Sequence, residues 1–301
     1  MTVSRGVQPA APVRLPAVQQ AVSGLLFLTA TLACAAGLFA TYFFFVQTTT
    51  GQFIDESALV EAVDFHGPAG KVSTRFLDWL PTISLVVAAA VVLFVSLVRR
   101  RWKAAGIAVG ACICANVATQ VLKNMLPERP DKGVVTIDLN SLPSGHTTLA
   151  ASAAAAVFLM SSPRWRPLAG FLGGTFAIIS GASTLVNQWH RPADVVAAFL
   201  LVGVFMIPAG WLIVGTGGAW NVWDGMGRHW GSARIWLTLP VALGVGSALV
   251  AVYSLAQIAP GSGPAASTTS YFWAGLALIV ITGYLATVAT TSLFSYAVRR
   301  R

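Results

Sequence analysis

The stretch Ser141–Thr148, SLPSGHTT, sets a hydroxyl, a residue without a side chain and an imidazole side by side, directly before an apolar run. Ser144 is of the type that caps a helix N-terminus, and Gly145 leaves its own N–H approachable. The unpaired amides and positive dipole end of the helix that follows would then face an incoming anion. An ordinary capped helix start with a solvated histidine fits the same four residues, PSGH. A second patch, GASTLVNQWHRPAD, holds Ser183, Thr184, His190, Arg191 and Asp194. His190 and Asp194 are four apart, with Pro192 suited to a first helical turn, so the two side chains face the same way. A carboxylate in that place keeps one imidazole nitrogen protonated and leaves the other free to attack. The third patch, KNMLPERPDK, supplies Lys123, Arg129 and Lys132. Lysine offers a point charge and arginine a bidentate fork for phosphate, unless these cations only balance Glu128 and Asp131.

What must position these residues is a membrane-spanning bundle. The chain has 301 residues, 56% hydrophobic and 10% charged, with mean hydropathy +0.73. Crossing a hydrocarbon core of about 30 Å takes about 20 apolar residues. Eight runs qualify or come close: Val22 to Val46, Leu80 to Val98, Ala104 to Leu122, Thr147 to Ser162, Leu168 to Gln188, Ala193 to Gly215, Ile235 to Ile258 and Phe272 to Ala297. The fourth is short, about 24 Å at 1.5 Å per residue. The first is too long for a signal-peptide core and follows a polar tail, so it reads as a span. Residues 1–21 read as a disordered tail. Cys34, Cys112 and Cys114 fall inside spans and read as small packing residues. Gly106 with Gly110, and Gly170 with Gly174, are spaced for close helix packing.

The net charge of +9 is distributed as topology, not as a nucleic-acid surface. With the N-terminus inside, 13 of the 19 basic residues and only Asp224 of the 10 acidic ones are cytoplasmic. That is the positive-inside pattern, and it places both termini in the cytoplasm. The same assignment puts all three polar patches on the outer face. No ionisable residue sits in the middle of a span, which disfavours a transporter with a midplane relay. The outer loop Gln47 to Trp79 contains IDESALVEAVDFHG, with Ile54, Leu59, Val60 and Val63 at helical spacing. It reads as a short helix on the membrane surface or as a plain tether. Trp220, Trp223 and Trp230 in the inner loop suit the headgroup belt.

Together these residues resemble the type 2 phosphatidic acid phosphatases, the PAP2 lipid phosphatases, which share their site with the vanadium haloperoxidases. The family pattern is Lys-x6-Arg-Pro, then Pro-Ser-Gly-His, then Ser-Arg-x5-His-x3-Asp. Pro143 to His146 match the second motif in full, and His190-x3-Asp194 matches the end of the third. The first motif reads Lys123-x5-Arg129-Pro130, one residue short, and Ser183-Thr184 stands where the family has Ser-Arg. The resemblance implies an all-α polytopic bundle: a six-span core over residues 22–215, then a loop and two additional spans over 216–301. It implies attack by His190, orientation by Asp194 and protonation of the leaving oxygen by His146. Lys123, Arg129, Ser144 and Gly145 would hold the phosphoryl oxygens, without metal or other cofactor. Arg191 either takes the place of the missing arginine or is an interfacial side chain that snorkels. The expected partners are the bilayer and a phosphorylated lipid at its extracytoplasmic leaflet, and no nucleic acid. Phosphoryl transfer from His190 to another acceptor, or lipid-phosphate binding or transport without turnover, are the alternatives.

Overall fold

The structure, a computed structural model, describes residues 17–135, 140–216, 222–223, 225–258 and 269–300. Among them are nine α-helices: α1 (Ala17–Gln47), α2 (Thr49–Glu61), α3 (Val63–Arg99), α4 (Trp102–Met125), α5 (Gly145–Met160), α6 (Arg166–Val186), α7 (Pro192–Gly215), α8 (Ile235–Ala256) and α9 (Ser270–Ala297). Every expected span is a helix. Seven helices are long and apolar enough to cross a membrane, and α5, at 16 residues, is the short one. The expected tail is shorter than residues 1–21, because α1 begins at Ala17 and the readily helical AVQQA extends the first span by more than a turn. Residues 1–16, and with them most of that tail, lie outside the described residues, as do Trp220 and Asp224.

In lipid, helices gain little from burying apolar surface, so their association rests on close packing and hydrogen bonds. The two helices that open with the chemistry-bearing motifs are the central ones. α7 packs on α1, α4, α5 and α9, and α5 packs on α3, α4, α6 and α7. Of the most apolar stretch of α7, 61% is buried, against 6% for α8, although both are strongly apolar. Small residues make the centre possible. A Cβ on Gly181 of α6 would run into Val195 of α7, and one on Gly174 would run into Thr287 of α9. Gly170 is similarly closed, with Thr291 Oγ1 2.8 Å from the would-be Cβ, whereas nothing lies within 4 Å of one on Gly106 or Gly110. The second glycine pair therefore serves packing and the first does not. The two C-terminal spans are not equivalent either. α8 contacts mainly α9, while α9 itself lies against α2, α6 and α7. Phe294 of α9 meets Phe27 and Phe158 edge-on, each at a ring separation of 5.2 Å.

The loop from Gln47 to Trp79, expected on the outer side, holds more structure than its apolar spacing suggests. Its first half is α2 and its second half is the start of α3, which runs for 37 residues. α2 turns polar residues inward: Gln52, Asp55, Glu56 and Glu61 are buried with Leu59, while Val60 and, at the start of α3, Val63 are exposed. Charged residues turn inward here because their partners are inside. Glu61 accepts from the Phe272 N–H (2.8 Å) and so caps α9. The remaining partners belong to the site.

In the loop expected on the inner side, Trp230 is 60% exposed, whereas Trp223 is buried, its two-residue strand pairing with Arg299–Arg300.

Candidate active site

Ser144 caps α5. Its Oγ accepts from the Thr147 N–H (3.4 Å) and the Thr147 hydroxyl (3.0 Å), and its own N–H donates to the Asp194 carbonyl (2.9 Å). The cap thus starts α5 and ties it to the first turn of α7. Ser144 has no exposed surface in this arrangement, so its hydroxyl supports the turn. Gly145 is different. A Cβ built there would meet nothing nearer than Lys123 Nζ and Gln120 Nε2, both on α4 and both 4.0 Å away. The first free amides of α5 therefore open onto a small space bordered by a lysine and a carboxamide, which is the composition of an anion slot. Sequence reading picked out Lys123 and Gly145; Gln120 it missed, one helical turn before Lys123 on the same helix.

His190 lies in the short connection between α6 and α7. The Thr184 carbonyl at the end of α6 receives the N–H groups of Trp189 (2.9 Å) and His190 (3.3 Å), which folds the connection back. Thr184 is wholly buried, and its hydroxyl donates to the Gly181 carbonyl (2.7 Å). Pro192 opens α7 and Asp194 follows at its third position, where its carboxylate accepts from the Arg191 N–H (3.0 Å). The same Oδ2 lies 3.1 Å from His190 Nδ1 and receives the Ser141 hydroxyl at 2.5 Å. Asp194 Oδ1 is buried without a partner among the described residues, so the interactions of this carboxylate converge on one oxygen. The His190 side chain keeps 10% of its surface exposed while that of Asp194 keeps none. His146 is half-buried with its ring 5.5 Å from that of Trp189, and its electrostatic neighbours are His190, Lys123 and Asp78.

The two arginines expected at the phosphate are engaged elsewhere in this arrangement. Arg129 Nη2 lies 3.1 Å from Asp55 Oδ2, and neither side chain has any exposed surface. Arg191 Nε donates to Glu56 Oε2 (2.6 Å) and Nη1 to the Ser141 hydroxyl (3.3 Å), and the residue is 3% exposed. Arg191 is therefore no snorkelling surface residue. The physical reason is charge: a buried guanidinium requires a carboxylate, and α2 delivers two in succession.

That helix reaches all three motifs. Gln52 donates to the Pro130 carbonyl (2.9 Å) and Asp55 holds Arg129, which fixes the segment after α4. Asp55 Oδ1 also accepts the Ala193 N–H (2.9 Å) at the start of α7, and the Leu59 carbonyl accepts from Gln188 (3.1 Å). Glu56 reaches the segment before PSGH through Arg191 and Ser141. Burial, together with the negative charge of Asp194, pushes the Asp55 carboxyl up to about 7, against the opposing pull of Arg129, the Ala193 N–H and Arg191. None of these α2 roles was legible from the sequence. The nearest signal was the pair Asp55–Glu56 in an outer loop that had otherwise only its hydrophobic spacing to recommend it.

Residues 105–219 match the family model of the PAP2 superfamily. That stretch, from α4 to just beyond α7, carries every motif from Lys123 to Asp194. No curated protein and no solved structure matches the chain. The family match and the seven long apolar helices support a membrane phosphatase in general terms.

Proposed function

We propose that the protein is a lipid phosphate phosphatase that hydrolyses a phosphomonoester or diphosphate of a lipid through a phosphohistidine. The observation that carries this reading is the 3.1 Å contact between Asp194 Oδ2 and His190 Nδ1. A carboxylate can only accept, so Nδ1 carries the proton and the lone pair is on Nε2. Nε2 attacks phosphorus while the bond from phosphorus to the lipid oxygen breaks, and that oxygen takes a proton from His146. Water then attacks the phosphohistidine, giving its proton to His146 and releasing phosphate and free His190. Lys123 and the amides at Gly145 offset charge on the phosphoryl oxygens, the main lever in phosphoryl transfer.

The charge asymmetry of the chain supports an extracytoplasmic site with both termini in the cytoplasm. Lys132, exposed on the same end as the site, suits a test of this. With the native cysteines removed, Lys132→Cys should react with a membrane-impermeant thiol reagent in intact cells; labelling only after permeabilisation would reverse the topology.

Purified protein presented with phosphatidic acid, phosphatidylglycerophosphate and polyprenyl phosphates and diphosphates should release inorganic phosphate from at least one. An acid-labile phosphoenzyme should be trapped in the wild type and absent from His190→Ala; its persistence there would remove His190 from the role. The burial of Arg129 against Asp55 favours a second reading, a lipid-phosphate binder or transporter. It predicts sided movement of lipid phosphate in vesicles with no phosphate released.

A further inference from the structure

The hydrogen bonds behind His190 run in one direction. Glu56, as a carboxylate, can only accept, and it takes Arg191 Nε at 2.6 Å. A guanidinium can only donate, so the 3.3 Å contact of Arg191 Nη1 with Ser141 Oγ makes that oxygen an acceptor. The single hydroxyl hydrogen of Ser141 is then left for Asp194 Oδ2, 2.5 Å away. Asp194 can only accept in turn, and its Oδ2 takes the Arg191 N–H (3.0 Å) and His190 Nδ1 (3.1 Å). Each member thus dictates the orientation of the next, and the last consequence is a lone pair on His190 Nε2.

We infer that Ser141 and Glu56 are positioning residues for the nucleophile, acting through Arg191 and Asp194 to hold His190 in one tautomer and one orientation. Neither lies in the motifs that match the family pattern, and the inference rests on the reading of His190 as nucleophile. Without the Ser141 hydroxyl, Asp194 loses the contact that opposes its rotation toward the unpartnered Oδ1. Without the charge of Glu56, Arg191 loses the group that aims it at Ser141. The charged and titratable groups around this chain are Asp55 on α2, Lys123 on α4, His146 on α5, and Arg129 beside Asp55.

The test combines turnover with nitrogen-labelled histidine spectra of the full-length protein. The chain has four histidines, and the His190 signal is assigned by its loss in His190→Ala. Ser141→Ala should lower kcat by about tenfold to a hundredfold, the consequence of losing one oriented hydrogen bond behind a reacting group. KM should stay within about threefold, because no substrate contact is removed. Ser141→Thr, which keeps the hydroxyl, should recover most of the loss. Glu56→Gln keeps shape but not charge and should cost about three- to tenfold. In the spectra, His190 should show the Nδ1-protonated tautomer in the wild type and a mixture in Ser141→Ala. Should Ser141→Ala not assemble, Glu56→Gln carries the same two readouts. An unchanged tautomer with turnover within about twofold of wild type overturns the inference. A tautomer that moves in a protein releasing no phosphate from any lipid would uphold this arrangement and reject the phosphatase reading instead.

Discussion

At the end of the bundle that carries His190, Arg129 and Arg191 are buried against Asp55 and Glu56, while Asp194 is buried beneath the imidazole. The opposite end is built differently. There Arg166 lies over the ring of Phe294, 5.1 Å from its centre, and Trp165 stands edge-on to His229 and Trp230 at 4.8 and 4.9 Å. Arg101 donates to the Ile213 carbonyl and the Thr216 hydroxyl, at 3.5 and 3.4 Å. Aromatic contacts tolerate small displacements, because their energy changes slowly with angle and distance. A buried ion pair does not, because a shift of an ångström leaves a desolvated charge without its partner. Among the described contacts, one end registers three chain segments against one another through buried ion pairs, and the other joins helix ends through aromatic contacts.

The largest expected effect follows directly from that contrast. His190→Ala should lower phosphate release by more than about 10³-fold, the scale seen when a covalent nucleophile is removed. Trp165→Ala at the far end should leave kcat within about threefold. Comparable losses from the two variants would show that the ends are mechanically coupled and would break the comparison.

Next comes stability. Arg129→Ala leaves the buried Asp55 carboxyl without its partner and should cost about 1–3 kcal/mol, read as a lower thermal midpoint in detergent. Arg129→Met with Asp55→Leu, which removes both charges, should recover much of that loss while still impairing activity, because the N–H of Ala193 loses its acceptor. Recovery of full turnover in the double variant would reduce the pair to a packing element.

Gly145→Ala should have a smaller and purely functional effect. The added methyl meets only Lys123 Nζ and Gln120 Nε2 at ordinary contact distance, so the fold accommodates it. It would fill the space in which, on the proposed function, a phosphoryl oxygen would meet the first amides of α5. Phosphate release should fall by about tenfold to a hundredfold with an unchanged thermal midpoint. Full activity would place the phosphate elsewhere.

The same contrast explains how much the sequence disclosed. All eight spans and the His190–Asp194 contact were legible, because each rests on a local pattern: an apolar run, or two side chains one helical turn apart. α2 was not. Asp55 is 74 residues from Arg129, and Glu56 is 135 from Arg191, and no local periodicity marks partners at such separations. Its hydrophobic spacing said nothing of the buried face, which Gln52, Asp55 and Glu56 form. Arg129 and Arg191 suggested phosphate ligands for the same reason: a cation on the outer face looks available until the carboxylate that holds it is located. The far end was legible only in composition. Three tryptophans signalled an interface, but the burial of Trp223 depends on strand pairing with the last residues of the chain.

The smallest effect over any one pH unit concerns Asp55. Its carboxyl in the folded protein is raised to about 7 from an ordinary value of 3.8, first by burial and then by Asp194. The folded state therefore holds this proton more tightly than the unfolded chain. Its contribution to stability is full below about pH 4, declines between about 4 and 7, and is gone above that. The corresponding gradient is at most about 1.4 kcal/mol per pH unit, and it should appear as a thermal midpoint that falls as pH rises through this window. Asp55→Asn cannot titrate and should flatten that part of the profile. A wild-type midpoint that is instead flat from about pH 5 to 7 would mean that the Arg129 pairing outweighs burial and holds Asp55 ionised throughout. The pair would then be intact where phosphate carries most charge, and α2 would compete for Arg129 under the conditions in which the substrate most needs a cation.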